Sequence, residues 1–175
     1  KISKKSKHKY FIKAGQSYQG QDYSIPADWS TANFFFAAAA TTGGQITIKR
    51  LDLDTSQGEA GFVDVLGKMG CQVIKSKDKV TLKAAPKLQG IEVDMSSIPD
   101  AVPALSAVAA FCDENVKIRN IAHLRYKECD RIKAIEEELG KLGVRVRTKE
   151  NEITINGKHI SNKPVTFDPR NDHRI

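Results

Sequence analysis

The sequence predicts an α/β (α+β) fold made of repeated βαβαββ units, two of them complete and a third begun. Three observations carry this prediction. Gly67-Lys68-Met69-Gly70 recurs as Gly140-Lys141-Leu142-Gly143, an offset of 73 residues. The alternating Ile46-Thr47-Ile48-Lys49 returns as Val116-Lys117-Ile118-Arg119. Aspartates stand 72 residues apart at Asp28, Asp100 and Asp172. A period near 70 residues with small loop adjustments marks one supersecondary unit copied along the chain.

The elements follow in order. In the second copy, residues 91–95 alternate as a strand does, and 104–112 are small and apolar, as in a buried helix. Residues 116–121 alternate again. Ile132, Ile135, Leu139 and Leu142 then form a stripe of helical period, and Gly143 is its natural stop. Strands at 144–147 and 152–155 flank the polar turn Lys149-Glu150-Asn151. The first copy reads the same way: a strand near Tyr23, a helix around 34–40, a strand at 45–49, a helix at 61–69 and a hairpin over 73–82. Residues 165–168 open a third copy as a strand. Each repeated aspartate falls between the first strand of its copy and the helix after it. Asp there accepts hydrogen bonds from free helix N–H groups, so capping is the plain reading of Asp28 and Asp172. The repeat also brings all three aspartates to the same end of their units, where a site could form.

Composition narrows the function classes. The chain of 175 residues is 40% hydrophobic and 28% charged, as in an ordinary globular protein. It opens on Lys1 and closes on Ile175 directly after a charged cluster, which reads as a fragment. Cys71, Cys112 and Cys129 form no CxxC pair, which points away from a disulfide framework or a zinc cage. The longest apolar run, 34–40, is far too short to span a bilayer. Of the net charge of +7, six charges come from Lys1, Lys4, Lys5, Lys7, Lys9 and Lys13. A lysine run of this kind is a solvated hairpin or strand edge. It carries only Tyr10 and Phe11 for stacking, weak support for a nucleic-acid module.

Chemistry concentrates in Arg125-Tyr126-Lys127-Glu128-Cys129-Asp130-Arg131. Lys127 and Arg131 are four residues apart, so a helical turn would place them on one face. They sit at or just before a helix N-terminus, where cations oppose the macrodipole. The first copy has acids in the corresponding loop: Asp52, Asp54 and Glu59. An anion bound between the cations would explain the placement. Glu128 would then lie beside negative charge and be suited to proton transfer. A surface ion-pair cluster is the competing reading. A second cluster, Asn171-Asp172-His173-Arg174, ends the chain and puts another cation, Arg174, at an expected helix start.

These segments resemble those of the 5-enolpyruvylshikimate-3-phosphate synthase family. The stretch from Asn120 to Arg131 with its Lys-Glu-x-Asp-Arg core is similar to one family signature, and Asp172-His173-Arg174 to a second. Ile98-Pro99-Asp100-Ala101 resembles the catalytic-aspartate segment. Lys13-Ala14-Gly15-Gln16-Ser17-Tyr18 and residues 28–40 also resemble family segments. The likeness covers nearly everything from about Tyr10. It departs at His123, where many relatives have Asn.

The resemblance implies the enolpyruvyl transferase fold: two similar domains of βαβαββ units around a pseudo-threefold axis, with substrates in the cleft between them. Residues 1–27 would end the preceding, substrate-binding domain. Residues 28–175 would form part of the second, with units at about 22–85, about 91–157 and from about 164. The implied reaction moves the enolpyruvyl group of phosphoenolpyruvate onto the 5-hydroxyl of shikimate 3-phosphate and releases phosphate. Asp100 would contact the shikimate hydroxyls and act as base. Lys127 would bridge the two substrates, and Glu128 would shuttle the methylene proton. Arg131 and Arg174 would hold phosphoenolpyruvate. The resemblance implies no metal, no organic cofactor, no nucleic-acid or membrane partner, a cytoplasmic location and a monomeric parent. Alternatives are the UDP-N-acetylglucosamine enolpyruvyl transferase of the same fold, RNA 3′-phosphate cyclase, which shares the unit without these signatures, and the basic nucleic-acid module.

Overall fold

A computed structural model describes residues 2–157 and 160–175. The lysine-rich start forms a hairpin of β1 (Ile2–Ser6) and β2 (Lys9–Ile12), a two-stranded antiparallel sheet of its own. Lys4 and Lys5 lie over the rings of Tyr10 and Phe11, at 5.8 and 5.6 Å from the centroids. Lys1 falls outside the described residues. Every described residue through Pro26 is exposed.

The first unit begins with α1 (Trp29–Thr42). Asp28 starts it by accepting from the backbone N–H groups of Ser30 and Thr31 and from the Thr31 hydroxyl. Gly43 stops it in the left-handed region at φ 74°. There follow β3 (Gln45–Lys49), a 3₁₀ turn (Gly58–Gly61), α2 (Phe62–Lys68), β4 (Gln72–Ser76) and β5 (Lys79–Lys83). The second unit has β6 (Glu92–Asp94), a 3₁₀ turn (Pro99–Ala101), α3 (Val102–Ala109) and β7 (Val116–Arg119). A 3₁₀ segment (Ala122–Tyr126), α4 (Arg131–Lys141), β8 (Arg145–Thr148) and β9 (Glu152–Asn156) complete it.

The repeat holds at the level of pairing. The sheets run β3-β5-β4 and β6-β7-β9-β8, so the last strand of each unit lies between the other two antiparallel strands. Ile48 pairs with Val80 in one unit and Ile118 with Ile153 in the other. The turn after β3 places Arg50 at φ 64°, and the turn after β7 places Asn120 at φ 60°. Gly70 and Gly143 likewise both have positive φ after their helices. Side chains of both units join one apolar core. Val80 and Leu82 are buried within it, and so are Ile153 and Ile155. Helices α1 and α3 pack on each other, and an apolar groove of about 370 Å³ runs between α1, α3 and α4.

Two expected strands are not formed. The strand near Tyr23 is irregular backbone: one bond from Ala27 N–H to the Arg50 carbonyl and one from Arg50 Nη2 to the Ile25 carbonyl hold it beside β3. Pro26 has no N–H to give a ladder, and the polar, Gly-containing run before it has little to bury. The first sheet therefore has three strands where the second has four. Residues 165–168 are also irregular. They lie against α4 instead: Glu138 accepts from the Asp168 N–H at 3.0 Å, and Lys141 Nζ donates to the Thr166 carbonyl at 3.0 Å.

Candidate active site

Four polar segments converge beyond the C-terminal ends of β6 and β7: the 3₁₀ turn holding Asp100, the loop from Asn120 to Asp130, the first residue of α4, and the segment 171–174. Loop 120–130 is held at its base by side-chain amides. Asn120 Nδ2 donates to Asp94 at 2.6 Å, Asn151 Nδ2 donates to Asn120 Oδ1 at 3.0 Å, and Asn151 Oδ1 accepts from the Ala122 N–H at 3.0 Å. Arg125 clamps the middle of the loop. It donates to the Lys149 and Glu150 carbonyls in the β8–β9 turn and to Asp130. Asp130 in turn caps α4, accepting from the Lys133 N–H at 3.0 Å. Backbone and side chain together thus fix where the next residues point.

The cluster itself contains three cations and three acids. Asp100 Oδ1 lies 3.2 Å from Lys127 Nζ and accepts from Arg131 Nη1 at 3.0 Å, while its Oδ2 lies 3.2 Å from Arg174 Nη2. Arg131 Nη2 donates to Glu128 Oε2 at 2.8 Å. Arg131 also grips Asp172, from Nε to Oδ2 at 2.8 Å and from Nη2 to Oδ1 at 3.1 Å. Arg131 and Asp172 are both inside the protein, with side chains 1% and 0% exposed. Glu128 is the open member, 44% exposed. His173 Nδ1 stands 3.7 Å from Glu128 Oε1.

The electrostatics follow from the pairing. Burial pushes the Asp100 carboxyl up, but the Lys127 hydrogen bond and the charges of Arg174, Lys127 and Arg131 outweigh it and hold it below the usual range. Asp172 behaves alike: burial raises it, and the Arg131 bonds and the Arg174 N–H lower it further than burial lifts it. Arg131 would lose basicity by burial, yet Asp172, Glu128 and Asp100 raise it, so it stays charged. Burial and the Asp172 carboxylate push the Cys129 thiol up, away from reactivity. Glu128, Asp172 and His173 bring three donor atoms within 4.8 Å of one another. They make a poor metal site, because the Arg131 guanidinium occupies both Asp172 oxygens and adds its own positive charge.

The five residues singled out from sequence, Asp100, Lys127, Glu128, Arg131 and Arg174, all lie in this cluster. Two geometric expectations change. Lys127 and Arg131 do not share a helical face: Lys127 is extended, at φ −87° and ψ −155°, and α4 begins only at Arg131. They meet because both reach Asp100. Asp172 and Arg174 do not begin a helix among the described residues; 171–174 is a turn with Asn171 at φ 54°. Asp100 makes no capping bond either, so of the three repeated aspartates only Asp28 is a cap. Sequence reading placed Asp172 in the repeat and in the second signature but read it as a cap, gave His173 no role of its own, and did not find the Asn120–Asn151 support. The 72-residue repeat and the place of Asp172 and His173 beside Arg174 were the available signals. His123 is exposed on the 3₁₀ segment.

Similarity to known proteins agrees with this architecture. The family model for EPSP synthase (3-phosphoshikimate 1-carboxyvinyltransferase) matches residues 1–175. The 3-phosphoshikimate 1-carboxyvinyltransferase of Nostoc punctiforme is 42% identical over 168 residues, covering 96% of this chain and 39% of the relative. That of Methanoculleus marisnigri is 38% identical over 173 residues, covering 99% and 40%. The chain thus spans about two fifths of the length of these curated relatives. The solved EPSP synthase of Acinetobacter baumannii superposes with a TM-score of 0.77 at 26% identity, over 93% of this chain and 39% of that one. The enolpyruvyl transferase NikO of Streptomyces tendae shares the fold, with a TM-score of 0.64 at 21% identity over 82% of this chain and 33% of that one. With the family model matching from end to end and relatives above one third identity, this chain belongs to the EPSP synthase (3-phosphoshikimate 1-carboxyvinyltransferase) family.

Proposed function

We propose that this chain supplies one wall of the active site of an enzyme of the shikimate pathway. The enzyme transfers the enolpyruvyl group of phosphoenolpyruvate to the 5-hydroxyl of shikimate 3-phosphate and releases phosphate, toward chorismate and the aromatic amino acids. The observation that carries the reading is the convergence of Lys127, Arg131 and Arg174 on Asp100, with Glu128 beside them on the open side. Three fixed cations suit two multiply charged anionic substrates. Asp100 takes the proton of the attacking hydroxyl. Glu128 gives a proton to the methylene carbon as the C–O bond forms, and takes one back as the bond to phosphate breaks. Cations drawn onto substrate leave Asp100 less stabilised as a carboxylate and therefore a stronger base. Arg131 is already bonded to three carboxylates, so an incoming anion gains it by displacing Glu128 or Asp100 rather than by finding it free.

On this reading residues 1–27 close the preceding domain, and 28–175 form part of the second. The 175 residues alone do not turn over. The reaction uses no metal or organic cofactor, and the parent is a cytoplasmic monomer without nucleic-acid or membrane partners. Among the described residues no helix is long and apolar enough to cross a membrane. The Lys127-Glu128-Cys129-Asp130-Arg131 core favours this reaction over transfer to UDP-N-acetylglucosamine. The test is phosphate release from phosphoenolpyruvate by a protein carrying this chain with the flanking segments its relatives possess. Release dependent on shikimate 3-phosphate, and strongly reduced by Asp100→Asn, is expected. Release dependent on UDP-N-acetylglucosamine instead, or unchanged by Asp100→Asn, overturns the reading.

A further inference from the structure

We infer that Asp172 is the positioning residue that aims Arg131 at the phosphoenolpyruvate subsite, an inference that rests on the function proposed above. The repeat makes Asp172 equivalent to Asp28, a helix cap. The structure gives it another task. Its carboxylate is fully buried and receives Arg131 side-on through Nε and Nη2, at 2.8 and 3.1 Å. This fork is the planar two-point geometry that a guanidinium makes with a carboxylate. The Arg174 N–H at 3.0 Å and the Cys129 thiol at 3.6 Å also donate to it, so each oxygen has two donors.

The consequence lies on the other edge of the guanidinium. With Nε and one Nη2 hydrogen committed to Asp172, Nη1 and the remaining Nη2 hydrogen face Asp100 and Glu128. Those carboxylates are the exchangeable partners, 26% and 44% exposed, while Asp172 is sealed. An arginine held on one edge presents the other edge rigidly to an anion. Removing the holder loosens the arginine side chain and leaves a buried cation underpaired. Asp172 also ties two signatures that lie 41 residues apart, so Arg131 and Arg174 reach Asp100 together.

The test uses the protein with its flanking segments and compares Asp172→Asn and Asp172→Glu with the parent. Asp172→Asn keeps shape but removes the charge and one acceptor. Asp172→Glu keeps the charge but pushes the guanidinium forward by a methylene. The KM for phosphoenolpyruvate should rise roughly 10-fold or more in both, the scale of one charge-assisted bond. The KM for shikimate 3-phosphate and kcat should stay within about threefold. A purely structural role predicts a lower melting temperature with both KM values unchanged, and that result overturns the inference. A second readout needs no turnover: the Arg131 Nε–H resonance in ¹⁵N-arginine-labelled protein. It should be shifted and protected from exchange, lost in Asp172→Asn and retained in Glu128→Gln. A resonance unaffected by Asp172→Asn sinks the inference even if the assigned reaction is right. If the reaction is wrong, the resonance still decides whether Asp172 holds Arg131.

Discussion

The two units share much of one backbone design, though only the second forms its opening strand, and the chemical contrast between them lies in the loop after β3 and after β7. After β3 and after β7 the chain makes the same left-handed step, at Arg50 and at Asn120. In the first unit the loop that follows serves packing. The Trp29 indole N–H donates to the Asp52 carbonyl, and the Gln57 side chain accepts from the Trp29 N–H. In the second unit the same loop carries Lys127, Glu128 and the approach to Arg131, and it is braced by Asn120, Asn151 and Arg125. The aspartates before the first helices diverge in the same way: Asp28 caps, and Asp100 receives three cations. A duplicated frame fixes where loops emerge, and the side chains on the loop decide whether that place is structural or chemical.

The largest test of this contrast is catalytic. In the protein with its flanking segments, Glu128→Gln should lower turnover by about 10²–10⁴-fold, because an amide cannot relay the methylene proton. Solvent exchange of the phosphoenolpyruvate methylene protons should slow in parallel. Glu59→Gln, near the same place in the first unit, should leave turnover within about twofold. Equal losses would show that both loops bear on the site.

Buried and exposed ion pairs give the next contrast. Arg131→Ala leaves Asp172 charged in the interior and should cost about 3–5 kcal/mol in denaturant unfolding. Lys75 pairs with Asp64 in the first unit at 2.6 Å, but both are well exposed. Lys75→Ala should cost only about 0–1 kcal/mol.

Acid should then act unequally on the parent chain and on Asp172→Asn. The folded-state pKa values of Asp100 and Asp172 are both depressed. Their contribution is therefore fully present above the ordinary Asp value of about 4, and it is lost as pH falls through the lower folded values. Unfolding midpoints measured between neutral pH and the acid range should drop for the parent chain. Asp172→Asn should be less stable at neutrality and lose less on acidification.

The smallest effect separates cap from ligand. Asp28→Ala should destabilise α1 by about 0.5–2 kcal/mol. Faster amide exchange at Ser30 and Thr31 would report it. Asp100→Ala should leave amide exchange at the start of α3 unchanged, since no capping bond is lost there.

Much of the frame was legible from residues alone. Strand alternation, the Ile132–Ile135–Leu139 stripe and the paired glycines are local patterns, and local patterns need only the chain's own period to be read. The observed β4, β5, α4 and β9 lie within a residue or two of expectation. The strands near Tyr23 and over 165–168 failed because a strand exists only where a neighbour completes its ladder, and neither stretch secures one among the described residues. By itself, then, the sequence determined the repeat, the type of most elements and which charged residues gather at the signatures. Only the tertiary structure decided that Asp28 caps while Asp100 collects cations, that Lys127 and Arg131 meet through a carboxylate and not along a helix, and that Arg131 is sealed against Asp172. The reason is physical. An element's period is written over neighbouring residues, whereas an ion pair depends on which loops come within about 3 Å of each other, and those loops lie as far as 41 residues apart in the chain.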